Sequence, residues 1–128
     1  MKKDIAVLIK YRLNQAKESL EEARALLKES MSFRSVMNRL YYAMFYAVLA
    51  LFQFRGLAAS KHSGVISLFD LEFVKSGIFN REMSWAIHRA FELRQKGDYV
   101  ELYEITKGDV EKCYLDILEY IKKMNLCL

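Results

Sequence analysis

An all-α fold, a five-helix up-down bundle, is what the 128 residues predict, and three observations carry that reading. Apolar residues recur at spacings of three and four along every long stretch, the signature of amphipathic helices. Proline is absent and only five glycines are present, too few turn formers for a β-sandwich or barrel. Hydrophobic residues make up 53% and charged residues 28%, a balance that excludes intrinsic disorder. At this length a chain buries roughly two-thirds of its unfolded surface, enough for one core, so residues 1–128 read as a single domain.

The first helix is expected from about Asp4 to Glu29, where Ala6, Ile9, Leu13, Ala16, Leu20, Ala23 and Leu27 form one seam resembling that of a coiled coil. The second runs from about Phe33 to Arg55, with Ser32 as N-cap candidate and Gly56 as the left-handed C-cap. The third follows Ser60 and ends before Gly77. The fourth follows Asn80 and ends near Lys96, with Gly97 placed to close it. The fifth starts near Thr106 and lines Val110, Tyr114, Ile117, Ile121 and Met124 on one face. Short connections imply antiparallel neighbours. Helix 2 is apolar nearly all round and needs cover on every side, either from the other four helices or from a second copy of the chain.

The longest apolar run, Leu40 to Phe54, spans about 22 Å as a helix, short of the roughly 30 Å hydrocarbon core, so it reads as a buried helix. Only five apolar residues, Ile5 to Ile9, follow the charged start, and no secretory signal is visible. Cys113 and Cys127 would lie about 21 Å apart on one helix, too far to bridge each other; free thiols and a cytoplasmic protein are expected. The net charge of +4 permits an anionic partner without requiring one.

The residues that could carry chemistry are few. His62 and His88 stand in no H-x3-H or H-E-x-x-H arrangement, so no metal and no cofactor is expected. No glycine-rich phosphate loop and no nucleophile elbow occurs. On helix 2, Ser35, Arg39, Tyr42, Tyr46, Leu49 and Gln53 fall on one line, a polar-aromatic stripe. Arginine beside tyrosines suits stacking and phosphate contacts, or else a buried arginine paired with an acid. On helix 4, Met83, Ile87, Ala90 and Arg94 share a stripe, so a guanidinium continues a core-facing line and meets Gly97-Asp98-Tyr99. It needs acceptors there, from an internal Arg94–Asp98 staple or from an anionic ligand.

Four segments taken in order, Asn38-Arg39-Leu40-Tyr41-Tyr42-Ala43-Met44-Phe45, Ser60-Lys61-His62-Ser63-Gly64-Val65, Phe73-Val74-Lys75-Ser76-Gly77 and Arg94-Gln95-Lys96-Gly97-Asp98-Tyr99, resemble a stand-alone prokaryotic branch of the HEPN-domain family. The resemblance implies a helical bundle that commonly dimerises, and activities in RNA cleavage, toxin or defence roles, partnership with small nucleotidyltransferases, or nucleotide binding. The nucleases of that family carry R-x(4–6)-H. Here Arg94 matches, but Tyr99, Val100 and Glu101 occupy the places where histidine would stand. Arg81 and His88 satisfy the spacing literally, yet share an expected solvent face with Ser84, Glu92 and Gln95.

The expectation is therefore a homodimeric, non-catalytic or weakly active HEPN-type module that binds a nucleotide, RNA or a small nucleotidyltransferase, in a toxin-antitoxin or defence setting. A metal-independent ribonuclease, with His62 or His88 replacing the missing base, and a purely structural interaction protein are the alternatives. The candidate ligand-binding residues are Arg94, Asp98, Tyr99, His62, Arg39 and Tyr42. In an up-down bundle helix 4 would finish at the end where helix 2 finishes and helix 3 begins, bringing Arg94 towards His62 and leaving Arg39 at the opposite end.

Overall fold

The computed structural model describes residues 2–29, 32–59, 61–99 and 105–127, with the side chains of residues 2, 3, 62, 96–99, 126 and 127 outside the described set. Five α-helices follow one another: α1 (Lys2–Lys28), α2 (Phe33–Arg55), α3 (His62–Phe69), α4 (Arg81–Tyr99) and α5 (Lys107–Cys127), with a π-turn, Asp70–Val74, continuing α3. No strand occurs among the described residues.

α2 is the centre, packed by α1, α4 and α5. Its length and hydropathy would allow it to cross a bilayer. Eleven of its residues are instead buried by its neighbours, from Val36 to Phe52. Gly56 closes it in the left-handed conformation at φ 68°, as its position predicts, and the Leu57 N–H returns to the Phe52 carbonyl. Ser32 stands at the N-cap without a side-chain bond to the helix, so the expected cap there is one of position only.

The expected seam of α1 holds over its second half, where Ala16, Leu20 and Ala23 are buried. Towards the N-terminus Ile9 and Leu13 are half-buried and Ala6 is exposed. There α1 lies beside the last turn of α2, and Ala6, Ile9, Leu13 and Phe54 border an open groove. α4 starts on a formed cap, the Asn80 carboxamide oxygen accepting the Met83 N–H at 3.1 Å. α5 starts on a reciprocal one: the Thr106 hydroxyl accepts the Asp109 N–H, and the Asp109 carboxylate accepts the Thr106 N–H. Hydrogen bonding to the carboxylate from Thr106, its backbone N–H first and then its side chain, holds the Asp109 carboxyl below its ordinary value.

The third helical stretch ends before Gly77, as expected, but not as one regular α-helix. It is α-helical for eight residues and then widens, the Lys75 N–H donating to the Asp70 carbonyl five residues back. Ser60, its expected cap, lies outside the described residues, and Lys61 takes the N-cap position. Gly97 does not end α4, which continues to Tyr99. Glycine tolerates a left-handed cap without imposing one, and helical geometry remains open to it.

The short third element decides the topology. Phe73 of the π-turn stacks on Phe52 at the end of α2, and Phe79, just before α4, packs on Phe69 and Phe73. The chain thus re-enters the bundle near the end where α2 left it. α4 runs back along α2, and its Phe91 reaches Tyr41 in the first half of α2. The expected meeting of the ends of α4 and α2 does not occur, because an eight-residue helix and a turn do not cross the bundle.

Candidate functional site

Arg94 sits on the last turns of α4, four residues after Ala90 and seven after Ile87, both buried. The stripe that carries those residues into the core carries the arginine against α2. Its guanidinium lies 4.8 Å from the ring centroid of Tyr41 and 5.4 Å from that of Tyr42. Nε points to the Asn38 carboxamide oxygen and a terminal nitrogen to the Tyr42 hydroxyl, both at 3.4 Å. At that length hydrogen bonds are weak. Among the described residues these contacts of Arg94 are all with neutral groups, so the cation is oriented by ring faces and carbonyl dipoles rather than neutralised there.

α2 supplies the other wall because Asn38, Tyr41 and Tyr42 lie at spacings of three and four, on one face. Tyr41 is fully buried and Tyr42 half-buried. Burial raises the Tyr41 phenol well above its ordinary value of 10.0, and the nearby Arg94 charge only partly opposes it. That hydroxyl stays protonated across the physiological range and is no general base.

Arg39 lies in the same half of α2, one turn from Tyr42, and pairs with Glu22 of α1 at 3.2 Å while remaining 47% exposed in its side chain. The expectation that it would stand at the far end from Arg94 is overturned by the run of α4, and a single chain brings both arginines to the same region. The stripe on α2 continues through Tyr46, whose ring is 5.8 Å from that of Tyr42 and is capped by Arg12 of α1 at 6.0 Å. Arg12 also donates to Gln15 at 2.9 Å, and its buried Nε has no acceptor among the described residues.

The side chains of His62, Asp98 and Tyr99 lie outside the described residues, so the staple between Arg94 and Asp98 and the approach of His62 fall there too. Asn38, Tyr41 and Arg12 were missed as site residues. Asn38 and Tyr41 could have been found by spacing, since both share the face of Tyr42. Arg12 could not, because its place over Tyr46 depends on how α1 packs.

His88 belongs elsewhere. It stands six residues before Arg94, about 120° around α4. Its Nε2 lies 2.6 Å from Asp70 Oδ2 of the π-turn, and the Ser84 hydroxyl donates to Asp70 Oδ1 at 2.6 Å. The face of Arg81, Ser84 and His88 is thus partly covered by the π-turn rather than wholly open to solvent. No group of three or more metal-ligating side chains occurs among the described residues.

A family model described as HEPN domain matches residues 9–125. The chain belongs to the HEPN-domain family, as its four motif segments suggest. It is 45% identical over 104 residues to a UPF0332 protein of Thermotoga maritima, covering 81% of this chain and 78% of that one. It is 34% identical over 99 residues to a Methanocaldococcus jannaschii protein named "Putative toxin MJ0142", covering 77% and 67%. A second M. jannaschii protein named as a toxin in the same way is also 34% identical over 99 residues, covering 77% and 73%.

Proposed function

We propose that this HEPN-type module binds a phosphate-bearing ligand, a nucleotide or RNA, on the face where α4 ends against α2, and that it cleaves RNA poorly or not at all. The observation that carries the reading is Arg94, a half-buried guanidinium held over two tyrosine rings by long bonds to neutral partners. A planar cation so placed offers its remaining N–H donors to a phosphate, and the Tyr42 and Tyr46 rings beside it offer stacking surface. Arg39 adds a second, more exposed charge. Asp98, Tyr99 and His62 remain candidates for the same site.

Catalysis is disfavoured on chemical grounds. Tyr99 stands where the family's nucleases place histidine in the shortest form of their motif. His88, the substitute base, is held by Asp70 on another face of α4. The toxin names of two relatives support a toxin-antitoxin setting; a small nucleotidyltransferase as partner is part of the proposal. A homodimer that covers part of α2 or its neighbours, in the cytoplasm, completes the reading.

Fluorescence anisotropy with a labelled single-stranded RNA, and competition by ATP, tests it. Arg94→Ala and Tyr42→Ala should each weaken binding about tenfold or more while circular dichroism still reports the parent's helical fold at the assay temperature. Metal-free cleavage of the same RNA by pure protein, lost in a folded Arg94→Ala variant, would instead make this a ribonuclease. Light scattering at micromolar concentration giving a mass near the 15.1 kDa monomer would remove the dimer.

A further inference from the structure

On the other side of α4 the molecule carries a second, unrelated feature. α4 and α5 diverge around a groove of about 610 Å³. Its apolar surface is formed by Ala86, the buried Cys113 and Trp85, the single tryptophan of the chain, which is 70% exposed. A tryptophan so exposed beside a cleft of that size is unusual for a surface with no partner. The groove continues into a smaller recess lined by Met83 and Tyr120, and the buried Tyr120 hydroxyl has no hydrogen-bond partner among the described residues.

The charges along the groove differ from those of the whole chain. Glu82, Asp109, Asp116 and Glu119 line it against only two cations, Arg89 and Lys112, in a protein of net charge +4. Both cations are already engaged, Arg89 by Asp109 at 3.0 Å and Lys112 by Asp116 at 3.3 Å. In the recess Lys123 leans on Glu119 at 3.6 Å. Glu82 forms no ion pair among the described residues, and the rim carries a local acidic excess. Two copies joined symmetrically through this groove would set those rims against each other, which disfavours a second copy as occupant.

We infer that the α4–α5 groove is a docking site for a partner protein's amphipathic helix, apolar on the face that meets Trp85 and Ala86 and lysine- or arginine-rich on its flanks. The mode is that of a helix laid in a groove, with tryptophan as the central anchor. This inference is independent of the ligand reading at Arg94, whose variants should leave the groove unchanged.

Trp85 is its own probe. A synthetic, tryptophan-free Leu/Lys amphipathic peptide of about four helical turns should shift the Trp85 emission to the blue and protect it from acrylamide. The Glu82→Lys, Glu119→Lys double variant should weaken that binding about tenfold and bind the matching Leu/Glu peptide in preference. In Trp85→Ala, anisotropy of the labelled peptide should show a loss of about tenfold or more. No emission change with the Leu/Lys peptide, or an equal change with the Leu/Glu peptide on the parent protein, would overturn the proposal. So would a blue shift of the protein alone on concentration, which would make a second copy the occupant.

Discussion

Near the C-terminal end of α2, Phe52 stacks on Phe73, and Phe69, Phe79 and Tyr120 close around them with ring centroids 5.5–6.1 Å apart. Near its N-terminal end, Tyr41, Tyr42, Phe45 and Phe91 meet at similar distances, 5.5–5.9 Å. The rings of the first cluster are all buried, and the exposed Arg55 only borders them, its guanidinium 5.3 Å from the Phe73 centroid. The second carries the guanidinium of Arg94 over two of its rings and leaves Tyr42 half in solvent. Similar side chains thus serve two ends. Where the rings are buried against one another the gain is burial; where a half-buried cation lies over two rings and one of them reaches solvent, some of that burial is exchanged for a charge held in place. The first cluster joins α2, the π-turn and α5 and holds the chain reversal that directs α4. The second exists only because of that reversal.

Breaking the buried cluster should have the largest effect. Phe69 is wholly buried, so Phe69→Ala should cost about 3–5 kcal/mol, a large part of the stability of a domain this size. Urea denaturation measures it. Tyr42→Ala in the other cluster should cost well under half as much in the same experiment, and equal losses would erase the distinction drawn here.

Removing the cation should separate function from stability. Arg94→Ala is expected to weaken ligand binding about tenfold or more, yet to lower stability by only about 1 kcal/mol, the scale of a partly exposed cation–π contact. Arg94→Lys keeps the charge but not the planar fork, and should recover stability better than binding. A melting curve and an anisotropy titration on the same samples decide the matter.

Alkaline pH should loosen the cluster around Phe69 together with α5. Burial raises the Cys113 thiol from 9.0 to about 12, and burial with the Asp70 charge raises the Tyr120 phenol well above 10.0. These groups give up their protons more readily in the unfolded chain. Their contribution is whole below pH 9.0 and is lost as pH rises towards the folded values. Urea midpoints should therefore fall above pH 9.0, and less steeply in Cys113→Ala. In a Cys127→Ser background, the native Cys113 thiol should resist a thiol reagent at neutral pH and react on unfolding.

The smallest expected effect sharpens the comparison most. The Tyr120 hydroxyl is buried with no partner among the described residues, so Tyr120→Phe should be neutral or stabilise by up to about 1 kcal/mol. Tyr42→Phe removes a hydroxyl that Arg94 uses and should weaken binding. A destabilised Tyr120→Phe would show that this hydroxyl is satisfied in solution, by water or by an occupant of the α4–α5 groove.

The helices were legible because their causes are local. Spacings of three and four placed every apolar stripe, Gly56 closed α2, and Asn80 and Thr106 opened α4 and α5, since a cap is a contact between residues three apart. The same periodicity singled out Arg94 as a cation on a core-facing line and Tyr42 on the stripe of α2. The family was legible from four ordered segments, and the match over residues 9–125 shows it. What pairs with Arg94 was not legible. That depended on whether the third element crosses the bundle, and a π-turn of five residues, with its ladder bond lengthened by one residue, leaves no mark on apolar spacing. Aromatic packing of Phe52, Phe69, Phe73 and Phe79 sends α4 back along α2. It places Arg94 beside Asn38, Tyr41 and Tyr42, contacts across more than fifty residues of chain that only tertiary packing can set.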